Sequence, residues 1–188
     1  MTARITATAY PTPLVPPIFP PDMVALNLTS TTWPDGGTIP FSCVAKGYGS
    51  STEDGNDVSP QVSWDKGPAG TAGYVVTIFD TDAPTGVGFW HWLVFNIPPT
   101  VTSLAQDASR NLPAGIVQGR GDAGVSAYYG PAPPAGDRPH HYYITVSALD
   151  KMIPSNFGPT TGGALLAFLM SEAVKVLARG QYMGEYGR

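Results

Sequence analysis

The length, composition and charge of the chain limit the kinds of protein it can be. Its 188 residues, 43% of them hydrophobic, provide material for one domain with a sizeable core. With 22 glycines, 20 prolines and only 13% charged residues, the composition favours short strands joined by turns over long solvated helices. A formal net charge of −4 argues against the basic surface of a nucleic-acid-binding protein.

The first 22 residues are predicted to form a proline-rich arm that precedes a single domain over residues 23–188. Residues 10–21 contain six prolines, which exclude a helix or a central strand and favour an extended conformation. The apolar side chains between these prolines favour packing of the arm against the domain or a protein partner. No secretory signal pattern is present, so the expected location is cytoplasmic, and no transmembrane segment is expected.

Three strands are predicted within the domain. Residues 73–79 form a nearly continuous run of β-branched and aromatic side chains, typical of a strand that is buried on both faces. Residues 92–97 form a second apolar run that two prolines stop, and residues 142–149 alternate between apolar and polar side chains. Each of these strands begins or ends beside a histidine or an aspartate.

One helix is predicted over residues 163–178, near the end of the chain. Apolar residues recur at helical spacing from Leu166 to Leu177, and Gly180 would cap the C-terminus of the helix. This helix is expected to cover the core. The single cysteine, Cys43, cannot form an internal disulfide and is expected to be a small buried residue.

All three histidines of the chain lie in two segments that define a candidate site. Asp80 and Asp82 follow the first predicted strand, and alternation in an extended backbone would direct both to one side. His91 precedes the second strand and His140 the third, where alternation places Tyr142 on the same face as His140. The neighbouring His141 falls on the opposite face and is expected to be structural or exposed.

Some residues in or near these segments also have a structural interpretation. Asp82 stands before Ala-Pro, where an aspartate often caps its own turn, and this interpretation is as strong as ligand binding. His91 lies between two tryptophans and is equally well explained as a packed core histidine. Arg138 lies in a predicted turn and is expected to be solvated.

Histidines and backbone N–H groups at rigid proline turns suit a small anion such as a phosphate monoester or a carboxylate. Two histidines and two aspartates are also ligands that zinc or iron accepts, so a metal-dependent hydrolase using Asp80, His91 and His140 is a less favoured alternative. No paired-histidine spacing, nucleophile elbow or nucleotide-binding loop is present. No metal and no cofactor is therefore expected.

Taken in order, the motifs resemble the phosphatidylethanolamine-binding protein family, in its bacterial Raf-kinase-inhibitor-like branch. The matching segments are the D-T-D-A-P run at 80–84, W-H-W-L-V-F-N-I-P at 90–98, G-P-A-P-P at 130–134 and H-H-Y at 140–142. The resemblance covers roughly residues 25–188. Asp57 departs from it, because asparagine is usual there, and the proline-rich arm is atypical.

The resemblance implies a mainly β fold, a Greek-key antiparallel β-sandwich with a C-terminal helix. It implies a non-enzymatic module that binds a phosphorylated or carboxylate small anion, similar to a phospholipid headgroup, and that regulates a kinase or a protease. A protein-interaction or structural module in a larger assembly, with a vestigial pocket, is the alternative. The implied ligand-binding residues are Asp80, Asp82, Pro84, His91, Gly130, Pro133, His140 and Tyr142.

Overall fold

A computed structural model describes residues 23–50, 52–154, 157 and 160–188 of the chain. The predicted proline-rich arm, residues 1–22, lies outside the described residues. The α-helix α1 spans Gly162–Leu169, and single 3-10 turns span Phe41–Cys43 and Ala108–Arg110. The strands in chain order are β1 Val24–Ala25, β2 Leu28–Thr29, β3 Gly37–Thr38, β4 Val62–Trp64, β5 Gly73–Asp80, β6 Phe89–Ile97, β7 Ser103–Leu104, β8 Val117–Gln118, β9 His140–Leu149 and β10 Val176–Tyr186.

The strands form two sheets, which confirms the mainly β prediction. The larger sheet has the order β1-β10-β9-β5-β6-β8, with β3 also paired to β10. Its long strands β5, β6, β9 and β10 are antiparallel, whereas the short strands β1 and β3 run parallel to β10. This sheet is therefore mixed. The smaller sheet, β2-β4-β7, is antiparallel.

Strand β5 lies at the centre of the larger sheet, and all eight of its residues are buried, as its unbroken apolar run predicts. One face packs toward the smaller sheet, where the Trp64 ring of β4 meets the Tyr74 ring of β5 edge to face at 5.5 Å. The other face packs against α1, since Val75 shares a core cluster with Leu165 and Leu169. Both faces of the central strand are thus covered.

The predicted helix over residues 163–178 is present but is shorter than expected. Helix α1 ends at Leu169, and the final eleven-residue element is strand β10, which contains Gly180 in its interior. The hydroxyl of Ser171 donates to the carbonyl of Phe168 at 2.7 Å, a local bond that competes with continuation of the helix. Strand β10 then pairs with β9 along nearly its whole length, and this tertiary pairing overrides the helical spacing.

The burial of the single cysteine agrees with the prediction from the sequence. Cys43 is fully buried, as expected, and burial raises the pKa of its thiol to about 11. Helix α1 contains eight residues, so no helix among the described residues is long and apolar enough to cross a membrane.

The part of the fold that positions a site is the edge where β5 ends and where β6 and β9 begin.

Candidate functional site

Antiparallel pairing brings three polar residues from separate strands to one point. Asp80, the last residue of β5, pairs with Phe89 of β6 and with Tyr142 of β9. This register places the Asp80 carboxylate 2.8 Å from His140 Nδ1 and 4.0 Å from His91 Nε2. All three side chains are almost completely buried. We call Asp80 and His140 the inner pair.

The Asp80 carboxylate is held firmly by protein donors. Its Oδ1 accepts hydrogen bonds from the backbone N–H groups of Asp82, at 2.8 Å, and Ala83, at 3.0 Å. Its Oδ2 accepts from His140. Asp80 therefore caps the turn that follows β5, a role that the sequence reasoning considered for Asp82.

The His140 ring lies between two carboxylates. Its Nδ1 bonds to Asp80, and its Nε2 lies 3.4 Å from Oδ2 of Asp137. Because an ionised carboxylate only accepts, this arrangement favours a ring with N–H groups on both nitrogens. Burial lowers the pKa of His140, but the hydrogen bonds and charges of Asp80 and Asp137 outweigh burial and raise the pKa above its ordinary value.

His91 differs from His140 in its hydrogen-bond partner and in the direction of its pKa shift. Its Nδ1 lies 2.7 Å from the backbone carbonyl oxygen of Tyr129, which can only accept, so Nδ1 carries the proton. Burial lowers the pKa of His91, and this effect exceeds the opposing influence of the Tyr129 carbonyl and Asp80. The neutral ring leaves Nε2 as a hydrogen-bond acceptor.

A cavity of about 270 Å³ opens beside the inner pair. Five of the eight predicted ligand-binding residues line it, and among its lining residues there is no lysine or arginine. The seven others that line it were not predicted, and all of them except Tyr48 adjoin or lie within the predicted motifs. The lining residues are Tyr48, Asp80, Ala83, Pro84, Thr85, Phe89, His91, Tyr129, Ala132, Pro133, Pro134 and His140.

Tyr48 is the lining residue least expected from the sequence, because it lies in a loop far along the chain from the motifs. Contacts with the end of the chain hold it. Its carbonyl accepts from the Tyr186 hydroxyl at 2.9 Å, and the Arg188 guanidinium lies 4.9 Å from the centre of its ring. Arg188 also donates through Nε to the Pro133 carbonyl at 2.8 Å, which links two walls of the cavity.

Asp82 does not line the cavity, and the expectation that it shares one side with Asp80 is wrong. Its Oδ2 accepts from the backbone N–H of His141, at 2.9 Å, and from His141 Nδ1, at 2.7 Å. Successive residues of a strand face opposite ways, so Asp82 and His141 lie across β9 from the inner pair. Alternation fails for Asp82 because β5 ends at Asp80 and the chain bends there. We call Asp82 and His141 the outer pair.

Arg138 belongs to this outer cluster, where its guanidinium pairs with Asp82 although its side chain is 43% exposed. Burial raises the pKa of Asp82, but the hydrogen bonds from His141, with the charges of His141 and Arg138, outweigh burial and lower it. The turn prediction for Arg138 thus anticipated its exposure but not its ion pair.

Gly130 and Tyr142 support the site from outside the cavity lining. The Gly130 N–H donates to Oδ1 of Asp57 at 2.8 Å, and a Cβ at Gly130 would lie 2.3 Å from the Cys43 carbonyl oxygen. Only glycine permits this close approach. The Tyr142 ring meets the His91 ring edge to face at 5.1 Å, and burial followed by the charge of Asp80 raises the pKa of its phenol.

No group of three or more histidine, cysteine, aspartate and glutamate side chains within the described ranges is arranged to hold a metal ion.

Comparison with known proteins places these residues in a family. A family model described as Phosphatidylethanolamine-binding protein matches residues 29–187 of the chain. The chain belongs to the phosphatidylethanolamine-binding protein family. This finding confirms the family that the motifs indicated.

Bacterial family members are similar to this chain in sequence and structure. UPF0098 protein YbcL of Escherichia coli (strain K12) is 41% identical over 158 residues, which cover 81% of this chain and 84% of YbcL. UPF0098 protein YbhB of the same organism is 44% identical over 128 residues, which cover 66% of this chain and 78% of YbhB. The E. coli YbcL crystal structure covers 88% of this chain and 99% of its own, with a TM-score of 0.76 and 38% identity. The family homologue CT736 from Chlamydia trachomatis covers 87% and 98%, with a TM-score of 0.71 and 29% identity.

Proposed function

We propose that this chain is a non-enzymatic binding module that holds a phosphorylated or carboxylate-bearing small anion in the cavity beside the inner pair. The observation that carries the proposal is the position of His140. Among the lining residues it is the one whose side chain can bear positive charge while fixed by a carboxylate, and its raised pKa favours that charge near neutral pH. The family name supports a ligand similar to a phospholipid headgroup.

The size and wall of the cavity agree with a small ligand. A volume of about 270 Å³ lies just below the range of ~300–1,000 Å³ typical of sites for drug-sized molecules. Proline, alanine and aromatic side chains form most of the wall, and the polar groups converge at one end. The 3.4 Å contact from His140 Nε2 to the partly exposed Asp137 is long, so a ligand oxygen could replace it.

The hydrogen bonds of the polar residues support binding over catalysis. The Asp80 oxygens already accept three hydrogen bonds from the protein, which leaves a poor general base. The hydroxyl of Thr85, the one aliphatic hydroxyl among the lining residues, donates to the Gly88 carbonyl at 2.6 Å. Regulation of a kinase or protease, which the resemblance implies, would depend on the same anion recognition.

Calorimetric titration with O-phosphoethanolamine and with acetate tests the proposal. His140→Gln removes the charge but keeps a polar side chain, and we expect it to weaken binding at least about tenfold through loss of a charge-assisted hydrogen bond. The matched control is His141→Gln, the same substitution at the next residue, which faces the other side of β9. It should bind within about twofold of the wild type, since a twofold change is below the energy of one hydrogen bond.

Two results would contradict the proposal. One is an unmodified protein that binds neither compound. The other is an equal effect of the two histidine substitutions, since it would separate binding from the inner pair. Thermal unfolding of both variants establishes that each is folded before its binding is interpreted.

A further inference from the structure

His91 presents a lone pair, and not an N–H group, to the cavity that it lines. Its proton is committed to the Tyr129 carbonyl through Nδ1, at 2.7 Å. Its Nε2 lies 4.0 Å from Asp80 Oδ2, which is beyond hydrogen-bonding distance. Because His91 lines the cavity, the donor for this nitrogen would come from the molecule that occupies the cavity.

The neighbouring residues do not supply that donor. Asp80 is itself an acceptor, since its two oxygens take N–H groups from Asp82, Ala83 and His140. No hydrogen bond joins the buried Tyr142 hydroxyl to His91 among the residues that the structure describes. The cavity therefore combines a donor at His140 with an unmatched acceptor at His91. A ligand with acceptor oxygens alone would satisfy His140 and leave His91 Nε2 without a partner.

The charges around the inner pair also restrict the charge that a ligand can carry. The His140 ring lies between the carboxylates of Asp80 and Asp137, and no lysine or arginine is among the cavity-lining residues described. The Arg188 guanidinium lies behind the wall, against the Tyr48 ring and the Pro133 carbonyl. A dianion would add repulsion against these two carboxylates, whereas a monoanion adds less. The hydrogen-bond pattern and the charges thus both favour a monoanion that carries a donor group.

We propose that the cavity selects a phosphate monoester in its protonated, monoanionic form, with the P–OH group donating to His91 Nε2 and an unprotonated oxygen accepting from His140. This inference rests on the proposed function and narrows it. A phosphodiester, the linkage within a phospholipid headgroup, has the same single charge but no P–OH group. The site is therefore better matched to a soluble phosphate monoester than to an intact lipid headgroup.

Three small probes separate these chemistries. Methyl phosphate, dimethyl phosphate and methyl sulfate are compared by calorimetric titration at about pH 5.5, below the second ionisation of a phosphate monoester near pH 6. All three are then mainly monoanions, and methyl phosphate alone carries a hydroxyl on its tetrahedral centre. We expect methyl phosphate to bind at least about tenfold more tightly than either other probe, because each of them leaves an acceptor unpaired.

The comparison is made at one pH so that protonation of His140 and Asp137 affects the three probes alike. His91→Phe removes the acceptor and keeps an aromatic ring beside Tyr142 and Phe89. It should reduce the preference for methyl phosphate over methyl sulfate to about twofold or less, since less than one hydrogen bond would then separate them. Where this variant does not fold, the ratios measured with the wild-type protein decide alone.

Failure of this inference is distinct from failure of the proposed function. Methyl sulfate or dimethyl phosphate binding as tightly as methyl phosphate would overturn the selection of a protonated ligand and leave anion binding intact. Absence of binding by all three probes and by O-phosphoethanolamine would overturn both.

Discussion

Two histidine–aspartate pairs lie on opposite sides of the first residues of β9, and their surroundings differ more than their chemistry. Both carboxylates are buried, with 4% of the Asp80 side chain and 1% of the Asp82 side chain exposed. The His140 ring is 1% exposed and lines the cavity, whereas the His141 ring is 31% exposed and does not. An aspartate beside a histidine is therefore not enough to define a binding site.

The outer pair is occupied by protein partners. His141 Nδ1 bonds to Asp82, and His141 Nε2 lies 3.4 Å from the Glu185 carboxylate on β10. Asp82 also pairs with Arg138. These contacts join the turn after β5 to β9 and β10, and this turn carries Pro84 of the cavity wall. The contacts of the outer pair support the adjacent wall, and the ligand recognition that we propose belongs to the inner pair.

The largest expected difference between the two pairs is in stability. Asp80→Asn should lower the free energy of unfolding by about 3 kcal/mol, because it removes the closer and more buried of the two carboxylates that contact His140. Asp82→Asn should cost about 1 kcal/mol, since its partly exposed partners His141 and Arg138 can turn toward water. Urea unfolding at neutral pH measures both.

Equal losses of stability in the two asparagine variants would show that the exposure of the histidine does not determine how much each pair contributes to stability. Asparagine is the appropriate replacement at both positions because it keeps the size of the side chain and one acceptor oxygen. The affinity for O-phosphoethanolamine should fall in Asp80→Asn, which acts directly on His140, and should stay within about twofold of the wild type in Asp82→Asn, as in His141→Gln.

A smaller effect on the free energy of unfolding is expected from a change in pH. The pKa of His140 determines whether stability rises or falls. The pKa of His140 is raised, so its stabilising contribution is complete below the ordinary histidine value of about 6.5 and is lost as pH rises through the raised value. The difference in free energy of unfolding between the wild type and His140→Gln should therefore narrow as the pH rises above about 6.5.

His91 contributes with the opposite sign. Its pKa is lowered, so its neutral ring reduces stability as pH falls below about 6.5, where the unfolded chain takes up a proton first. Both proteins retain His91, and its contribution cancels in the difference. A difference that widened toward pH 9 would mean that His140 is neutral in the folded protein.

The sequence predicted the central strands well because their signal is local. The apolar run at 73–79 fits a strand with neighbours on both sides, and β5 extends it by one residue, Asp80. Over residues 163–178, by contrast, local spacing did not distinguish a helix from a strand. The chain that follows α1 enters β10, where Ala178, Tyr182 and Tyr186 are buried, and pairing with β9 decides the outcome.

The site was predictable where strand alternation holds and not where the chain turns. Alternation within β9 separates His140 from His141, and the structure places them on opposite sides. The same rule fails for Asp82 because it lies past the end of β5. Tyr48 could not be assigned to the cavity from sequence, since its position depends on contacts with Tyr186 and Arg188 at the far end of the chain.

The smallest predicted effect concerns Asp57, a carboxylate that bonds to backbone groups instead of a histidine. It adopts a left-handed backbone with φ of 52°, which asparagine tolerates as well as aspartate. Its Oδ1 accepts from the Gly130 N–H at 2.8 Å and its Oδ2 from the Lys46 N–H at 3.2 Å. An asparagine side chain at this position would keep one of these acceptors and lose the other.

We therefore expect Asp57→Asn to lower the free energy of unfolding by only about 0.5 kcal/mol, with anion binding unchanged within about twofold. Asp57→Ala is the control that removes both acceptors and adds backbone strain, and it should cost clearly more. If the two variants lose equal stability, the shorter bond to Gly130 contributes little. In that case the fit of Gly130 against Cys43, and not the Asp57 carboxylate, holds this segment behind the cavity.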